Sequence, residues 1–202
     1  MTVKQTVDIE QVVEKRTLVG EGSLWDAEKG VLYWVDILSH EVYLYDPERG
    51  VNRTIDTWQA VGTVVPRQSG GLVVALHNGF AHVDLVSEKL TPLGSDPERG
   101  VPANRFNDGK CDPAGRLWAG TMEFGGATRA GALYCLHCDL SVSKKIDSVS
   151  ISNGIVWSAN GKTMYFIDSP LNTVRAYDYD VDTGDINNER AVCQNEGAGV
   201  FD

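Results

Sequence analysis

Apolar and polar residues alternate along most of this chain, in short runs that turn residues interrupt every six to ten positions. The clearest example comprises the runs Gly22–Trp25, Val31–Val35 and Glu41–Tyr45, separated by polar turns. A period of two is typical of β-strands, whereas no stretch keeps the 3.6-residue period of a helix. We therefore predict an all-β fold of short antiparallel strands.

The strand pattern itself repeats along the chain. A glycine follows a polar turn and precedes a β-rich run at four places, 41, 44 and 46 residues apart: Gly30, Gly71, Gly115 and Gly161. Periods of about 40 to 50 residues with about four strands each are typical of propeller blades. An ordinary β-sandwich is the alternative, but its turn signals lack this longer period.

The repeats predict a single, incomplete β-propeller domain that covers residues 1–202. The expected blades are approximately 21–58, 62–95, 105–145 and 151–195. Tryptophans recur in these repeats and are interpreted as packing between blades: Trp25, Trp34, Trp118 and Trp157.

Four repeats and the opening of a fifth occupy the chain, although a propeller protects its blade faces by closing a ring. The segment around Val7–Thr17 lies outside the repeats and is predicted to be a strand that completes the last blade. Because that last blade is missing, three interpretations stay open: a truncated chain, a ring of fewer blades, and self-association through open blade faces. We expect truncation at the C-terminal end.

Composition narrows the class of partner. Eighteen basic and 28 acidic residues give a formal net charge of −10, and 42% of the residues are hydrophobic. Nucleic acid and anionic membranes are poor partners for such a chain, whereas cations and neutral small molecules are better ones. We expect a cytoplasmic protein, because the sequence shows no membrane helix or signal-peptide core and its four cysteines suit free thiols in a reducing compartment.

Polar residues recur where each repeat begins. Counting back eight or nine positions from the repeated glycines gives Glu21, Thr63, Asn107 and Asn153, and the chain ends at Asp202 in the next repeat. Inner strands of a propeller begin near its axis, so these side chains can converge. The oxygens of Glu21, Asn153 and Asp202 would suit Ca²⁺, Mg²⁺ or Mn²⁺, with Zn²⁺ less expected. Taken singly, each asparagine is better explained as a turn former, and it is the register shared with Glu21 and Asp202 that favours a ligand role.

At this point the sequence resembles the family of gluconolactonase, senescence marker protein (regucalcin) and luciferin-regenerating enzyme. The segments that carry the resemblance are Gly20–Trp25, Asn104–Lys110, Asp112–Met122, Gly131–Tyr134 and Ile151–Gly154. The resemblance implies a six-bladed propeller with one divalent metal ion at the mouth of its central channel, which hydrolyses sugar lactones. It also implies about one third more chain than is present here.

The resemblance assigns roles to individual residues. The residues that match the family's metal ligands are Glu21, Asn153 and Asp202. The residues that match its substrate contacts are Arg105, Asn107 and Glu123. The carboxylate of Asp202 would also take a proton from the attacking water, which makes it the expected catalytic residue.

Other functions stay open at the level of the sequence. A non-enzymatic, calcium-binding regulatory protein could use the same scaffold, as could an inactive truncated isoform or a related esterase or phosphotriesterase. The acidic segment Asp178–Glu189 resembles an EF-hand loop, but its glycine is displaced by one position and strand-like sequence flanks it. We interpret it as a hairpin turn.

Overall fold

The computed structural model describes residues 9–126 and 128–202 and contains four sheets, each of four antiparallel strands joined in chain order. The first sheet comprises β1 (Gly20–Asp26), β2 (Val31–Asp36), β3 (Glu41–Asp46) and β4 (Val51–Asp56). The second comprises β5 (Val61–Pro66), β6 (Leu72–Leu76), β7 (Gly79–Val83) and β8 (Leu90–Leu93). The third comprises β9 (Asn104–Cys111), β10 (Leu117–Glu123), β11 (Gly131–Leu136) and β12 (Val142–Val149). The fourth comprises β13 (Ser152–Trp157), β14 (Thr163–Asp168), β15 (Thr173–Tyr179) and β16 (Ile186–Gln194), with one 3-10 turn at Ser169–Leu171. The all-β prediction is confirmed.

Tight turns between the strands depend on glycine and aspartate. Gly30 and Gly161 have φ values of +65° and +67°, a conformation that residues with a Cβ rarely adopt. At the β3–β4 turn, Asp46 Oδ1 accepts hydrogen bonds from two backbone N–H groups, at 3.0 and 3.1 Å. Asp180 does the same in the turn between β15 and β16, so the acidic segment there is the expected hairpin turn.

The apolar core lies between successive sheets in three clusters. The first joins the first two sheets and includes Tyr33, Ile55 and Val74. The second joins the second and third sheets around Phe106, and the third joins the third and fourth sheets around Trp118. Each sheet therefore buries apolar side chains against its neighbours, as the blades of a propeller do.

The first strands of successive sheets lie against one another. Contacts link β1 with β5, β5 with β9, and β9 with β13. The approach of β5 to β9 requires Gly62, because a Cβ on that residue would lie 2.3 Å from the carbonyl oxygen of Asn107. These inner strands, β1, β5, β9 and β13, therefore bring the starts of all four repeats into one region.

A buried ion pair fixes the joint between the third and fourth sheets. The carboxylate of Asp112 accepts hydrogen bonds from Arg116 Nε at 2.6 Å, from Trp118 Nε1 at 2.9 Å and from the hydroxyl of Tyr179 at 2.6 Å. Burial alone would raise the pKa of Asp112, but these donors outweigh it and lower the pKa below its ordinary value. Because Tyr179 belongs to β15, the network ties β9 and β10 to the fourth sheet.

The predicted strand around Val7–Thr17 is wrong for the residues that can be described. Residues 9–17 form no strand, while 1–8 lie outside the described residues. The segment instead lies on the first sheet through side-chain contacts, including an ion pair of 3.3 Å between Lys15 and Glu41. Val12 and Val13 share a small apolar cavity with Trp34. These contacts hold it without the backbone pairing that defines a strand.

Within residues 9–126 and 128–202, no helix is long and apolar enough to span a membrane.

Candidate active site

A cavity of about 410 Å³ opens where the inner strands meet. All four inner strands contribute to its wall, together with the last residue of the chain. Its polar lining includes the side chains of Glu21, Asp108, Asn153 and Asp202. Trp25 also lines the cavity and is 54% exposed, so it is not packed between the four sheets described. An exposed aromatic ring beside polar oxygens is suited to contact a ligand.

Glu21 and Asn153 hold equivalent positions in the first and fourth sheets. Each is the second residue of its inner strand: Glu21 pairs with Val35 on β2, and Asn153 pairs with Ile167 on β14. The register shifts directly after each of them. Such bulges bend a strand and redirect its side chains, and they are frequent beside active sites.

Two buried aspartates hold the entry to these inner strands. The carboxylate of Asp36 accepts hydrogen bonds of 2.9 Å from the backbone N–H groups of both residues that precede β1. Asp168 does the same for the two residues that precede β13, at 3.0 and 2.9 Å. Burial would raise the pKa of Asp36, but the hydrogen bonds that it accepts lower the pKa overall. The backbone that carries Glu21 and Asn153 is thereby fixed just ahead of both residues.

In the third sheet, Arg105 holds this position instead of Asn107. Arg105 is the second residue of β9 and pairs with Met122. Asn107 lies two residues further on, inside the irregular segment between Phe106 and Gly109. The count from the glycines does not give the register, because the hairpin turns differ in length and the bulges differ in size.

The side chains of the third and fourth sheets form one chain of hydrogen bonds. Arg105 Nη1 donates to Asn107 Oδ1 at 2.7 Å. Asn107 Nδ2 donates to the carbonyl oxygen of Ser152 and to Asn153 Oδ1, both at 2.8 Å. Asn153 Nδ2 then donates to the hydroxyl of Ser169 at 2.8 Å. These hydrogen bonds join Arg105 and Asn107, which are predicted to bind substrate, to Asn153, which is predicted to bind metal.

The cavity carries crowded negative charge. Partial desolvation raises the pKa of Glu21, and the charges of Asp202 and Asp108 raise it further, while Arg105 opposes them. Burial raises the pKa of Asp108, with a further contribution from Asp202, against the opposing charge of Lys110. Burial lowers the pKa of the Arg105 guanidinium, whereas the charge of Glu21 raises it. The three carboxylates line the same cavity, so their charges act on one another.

The predicted site residues fall into two groups. Glu21, Asn153 and Asp202 all line the cavity, with Asp202 exposed and outside any strand. Arg105 and Asn107 lie behind the cavity wall, only 8% and 9% exposed. Glu123, at the end of β10, is partly buried and is not part of the lining.

Asp108 was missed by the sequence reasoning. Its neighbour Asn107 holds the position given by counting back from the repeated glycines, so the count does not point to Asp108. Spacing alone does not identify it, because consecutive residues at a bulge can point in different directions. Asn107 points towards Asn153, while Asp108 lines the cavity.

The donor set fits a hard divalent cation. Three carboxylates, of Glu21, Asp108 and Asp202, and the amide of Asn153 line the cavity, and oxygen ligands suit Ca²⁺, Mg²⁺ or Mn²⁺. Among the described residues, no three His, Cys, Asp or Glu side chains are grouped closely enough to hold one metal ion.

The family described as the SMP-30/Gluconolactonase/LRE-like region matches residues 19–202. YvrE of Bacillus subtilis, which is named as a sugar lactone lactonase by inference, is 40% identical to this chain over 179 residues. The matched region covers 89% of this chain and 61% of YvrE. The chain spans about 61% to 65% of the length of the first curated relatives.

Solved structures show the same fold. A structure of regucalcin from Agrobacterium tumefaciens, described as a calcium-binding protein, has a TM-score of 0.84 and 28% identity, covering 89% of this chain and 61% of that one. The β-propeller domain of Cps50 from Myceliophteria thermophila has a TM-score of 0.62 at 15% identity, covering 87% of this chain and 58% of that one. The second likeness concerns the fold alone.

Proposed function

Since the chain belongs to the SMP-30/gluconolactonase/LRE-like family, we propose that it carries the site of a metal-dependent sugar lactone hydrolase. The observation that supports this best is the shared cavity of Glu21, Asn153 and Asp202, which come from separate parts of the chain. The sugar lactone is suggested by the name of the Bacillus relative. A six-bladed ring is part of the proposal, in which the four sheets of this chain supply four blades.

The proposed metal ligands are Glu21, Asn153 and Asp202. A divalent ion held there would polarise the lactone carbonyl and acidify a bound water. The protein contributes a negative cavity that favours the cation, because Asp108 adds its charge to those of the two carboxylate ligands. The aspartate clamps at the strand entries keep the ligands of the first and fourth sheets in place.

The proposed substrate contacts are Arg105, Asn107 and Glu123. Arg105 Nε is buried behind the cavity wall and has no hydrogen-bond partner among the described residues, so a contact with a sugar oxygen requires this side chain to turn towards the cavity. A guanidinium offers its donors in a rigid plane, which suits ring and hydroxyl oxygens. Glu123 lies at the end of β10 and pairs with Asn104, the residue before Arg105. Its proposed role is to accept a hydrogen bond from a sugar hydroxyl.

Asp202 is the proposed general base. Its carboxylate takes a proton from water as the water oxygen bonds to the carbonyl carbon of the lactone. The ring C–O ester bond then breaks, and the proton passes to the departing oxygen. The product is a hydroxy acid that is open at the former ester, with no net change in oxidation state.

The direct test is a pH-drop assay with glucono-δ-lactone, in separate samples with Mn²⁺, Zn²⁺, Ca²⁺ or a chelator. The proposal predicts acid release above the spontaneous rate with at least one of these metals and none with the chelator. A folded sample that gives only the spontaneous rate with every metal would refute the proposed hydrolase.

The alternative is a calcium-binding protein without hydrolytic activity. It is favoured by the regucalcin structure that is described as calcium-binding and by the all-oxygen ligand set. Calorimetry with Ca²⁺ separates the two. Tight Ca²⁺ binding without lactone hydrolysis would support this alternative.

A further inference from the structure

The hydrogen-bond chain that ends at Ser169 has a fixed polarity. Arg105 can only donate and the carbonyl oxygen of Ser152 can only accept. Arg105 Nη1 donates to Asn107 Oδ1, and the amide nitrogen of Asn107 faces the Ser152 carbonyl at 2.8 Å. Only one of the two orientations of the Asn107 amide satisfies both neighbours.

This orientation determines that of Asn153. Asn107 Nδ2 donates to Asn153 Oδ1, so the amide nitrogen of Asn153 must point the other way, towards Ser169 Oγ. An amide oxygen has two lone pairs, and one remains after Asn107 is bound. Because Asn153 lines the cavity, that lone pair is the one that a cation would use.

The first and fourth sheets differ at exactly the position that Ser169 occupies. Ser169 donates its backbone N–H to the carbonyl of Ile151, and Ile37 donates in the same way to Val19 in the first sheet. Ile37 is apolar and fully buried. Its sheet contributes Glu21, whose two carboxylate oxygens are equivalent and need no control of orientation. The fourth sheet contributes an amide, whose two ends are not equivalent, and there the position carries a hydroxyl.

We propose that Ser169 is a positioning residue that holds the Asn153 amide with its oxygen directed to the cavity, while Arg105 and Asn107 impose the same orientation from the other side. A reversed amide would direct N–H groups at a cation and repel it. The inference rests on the proposed function, because it takes Asn153 as a metal ligand. Hydrogen-bond partners of metal ligands typically change metal affinity by 10- to 100-fold.

The test compares Mn²⁺ affinity, measured by calorimetry, in wild-type protein, Ser169→Ala and Ser169→Thr. Loss of the hydroxyl should raise the dissociation constant about 10-fold or more. Ser169→Thr keeps a hydroxyl and should restore affinity. The matched control is Ser150→Ala, because Ser150 is also buried and close to β13, yet its hydroxyl forms no hydrogen bond to the described residues. Thermal unfolding with chelator present checks that each variant is folded.

A second measurement is independent of metal. In ¹⁵N-labelled, metal-free protein, the side-chain amide signal of Asn153, assigned with Asn153→Ala, should shift in Ser169→Ala and not in Ser150→Ala. Wild-type Mn²⁺ affinity in folded Ser169→Ala, or an equal loss in Ser150→Ala, would overturn the inference. If the variants change Mn²⁺ affinity as predicted but the protein does not hydrolyse lactones, the proposed hydrolase is refuted and the role of Ser169 stands. If wild-type protein binds no metal, both proposals fail.

Discussion

Replacing Asp112 with Asn should destabilise the protein by weakening the joint between the third and fourth sheets. The side chain of Asp112 is fully buried and that of Arg116 is only 7% exposed. The substitution preserves size but removes the negative charge and directs an amide nitrogen at groups that donate. The guanidinium of Arg116 is then left buried without its counter-charge.

Breaking a buried ion pair by removing one partner typically costs 3–5 kcal/mol. Asn keeps one acceptor oxygen, and Arg116 keeps bonds to the backbone carbonyls of Val181 and Asp182, so we expect the lower end, about 3 kcal/mol. For a chain of this size, such a loss lowers the melting temperature by roughly 6–12 °C.

The free energy of unfolding is measured by urea denaturation of wild-type protein, Asp112→Asn, Arg116→Met and the double variant. Because the two residues act together, the double variant should lose less than the sum of the single losses. Asp139→Asn is the control. Asp139 accepts a backbone N–H hydrogen bond in a turn at an exposed position, so this substitution should lower the free energy of unfolding less. A loss below about 1 kcal/mol in Asp112→Asn would refute the reasoning, as that is the scale of an ordinary substitution.

Three further outcomes follow from the site and the core. Glu21→Gln should make the metal-free protein more stable at neutral pH. The raised pKa of Glu21 gives stability that is present below its ordinary pKa and is lost as the pH rises through the raised pKa. Chemical denaturation in chelator should show that the difference in unfolding free energy between variant and wild type is smaller at pH 4 than at pH 7, and a constant difference would contradict this. Arg105→Lys keeps the charge but removes the planar donors, so steady-state kinetics should show a higher KM; an unchanged KM would remove Arg105 from the substrate contacts. Cys138 and Cys193 are exposed and should react rapidly with Ellman's reagent. Burial raises the pKa of Cys135 to about 12, so this thiol should stay unreactive until the protein unfolds. Rapid reaction of three or more thiols in native protein would contradict the core packing.

Most of the fold was predictable because it is local. Alternation with a period of two gives strands, and glycines such as Gly30 and Gly161 mark turns that need a positive φ. The segment before the first strand was not predictable in this way. Residues 9–17 have strand-like composition, but a strand needs a backbone partner, and the segment lies on the first sheet through side chains such as Lys15.

The convergence of three predicted site residues was predictable from the sequence, but the register of the inner strands was not. Glu21, Asn153 and Asp202 do line one cavity. Counting residues nevertheless placed Asn107 at the level that Arg105 holds, because bulges and turn lengths differ between sheets. Asp108 and Ser169 could not be identified from spacing, since their positions depend on where a bulge points a side chain and on a contact across sixteen residues.

The central claim is that Asn153 and Asp202 act together with Glu21 to hold the ion on which hydrolysis depends. The most direct test measures the initial rate of glucono-δ-lactone hydrolysis against Mn²⁺ concentration for wild-type protein, Asn153→Ala and Asp202→Asn, with circular dichroism to confirm folding. We expect a saturable, metal-dependent rate in the wild type and none in either variant. A wild-type rate in a folded variant would contradict the assignment of the site.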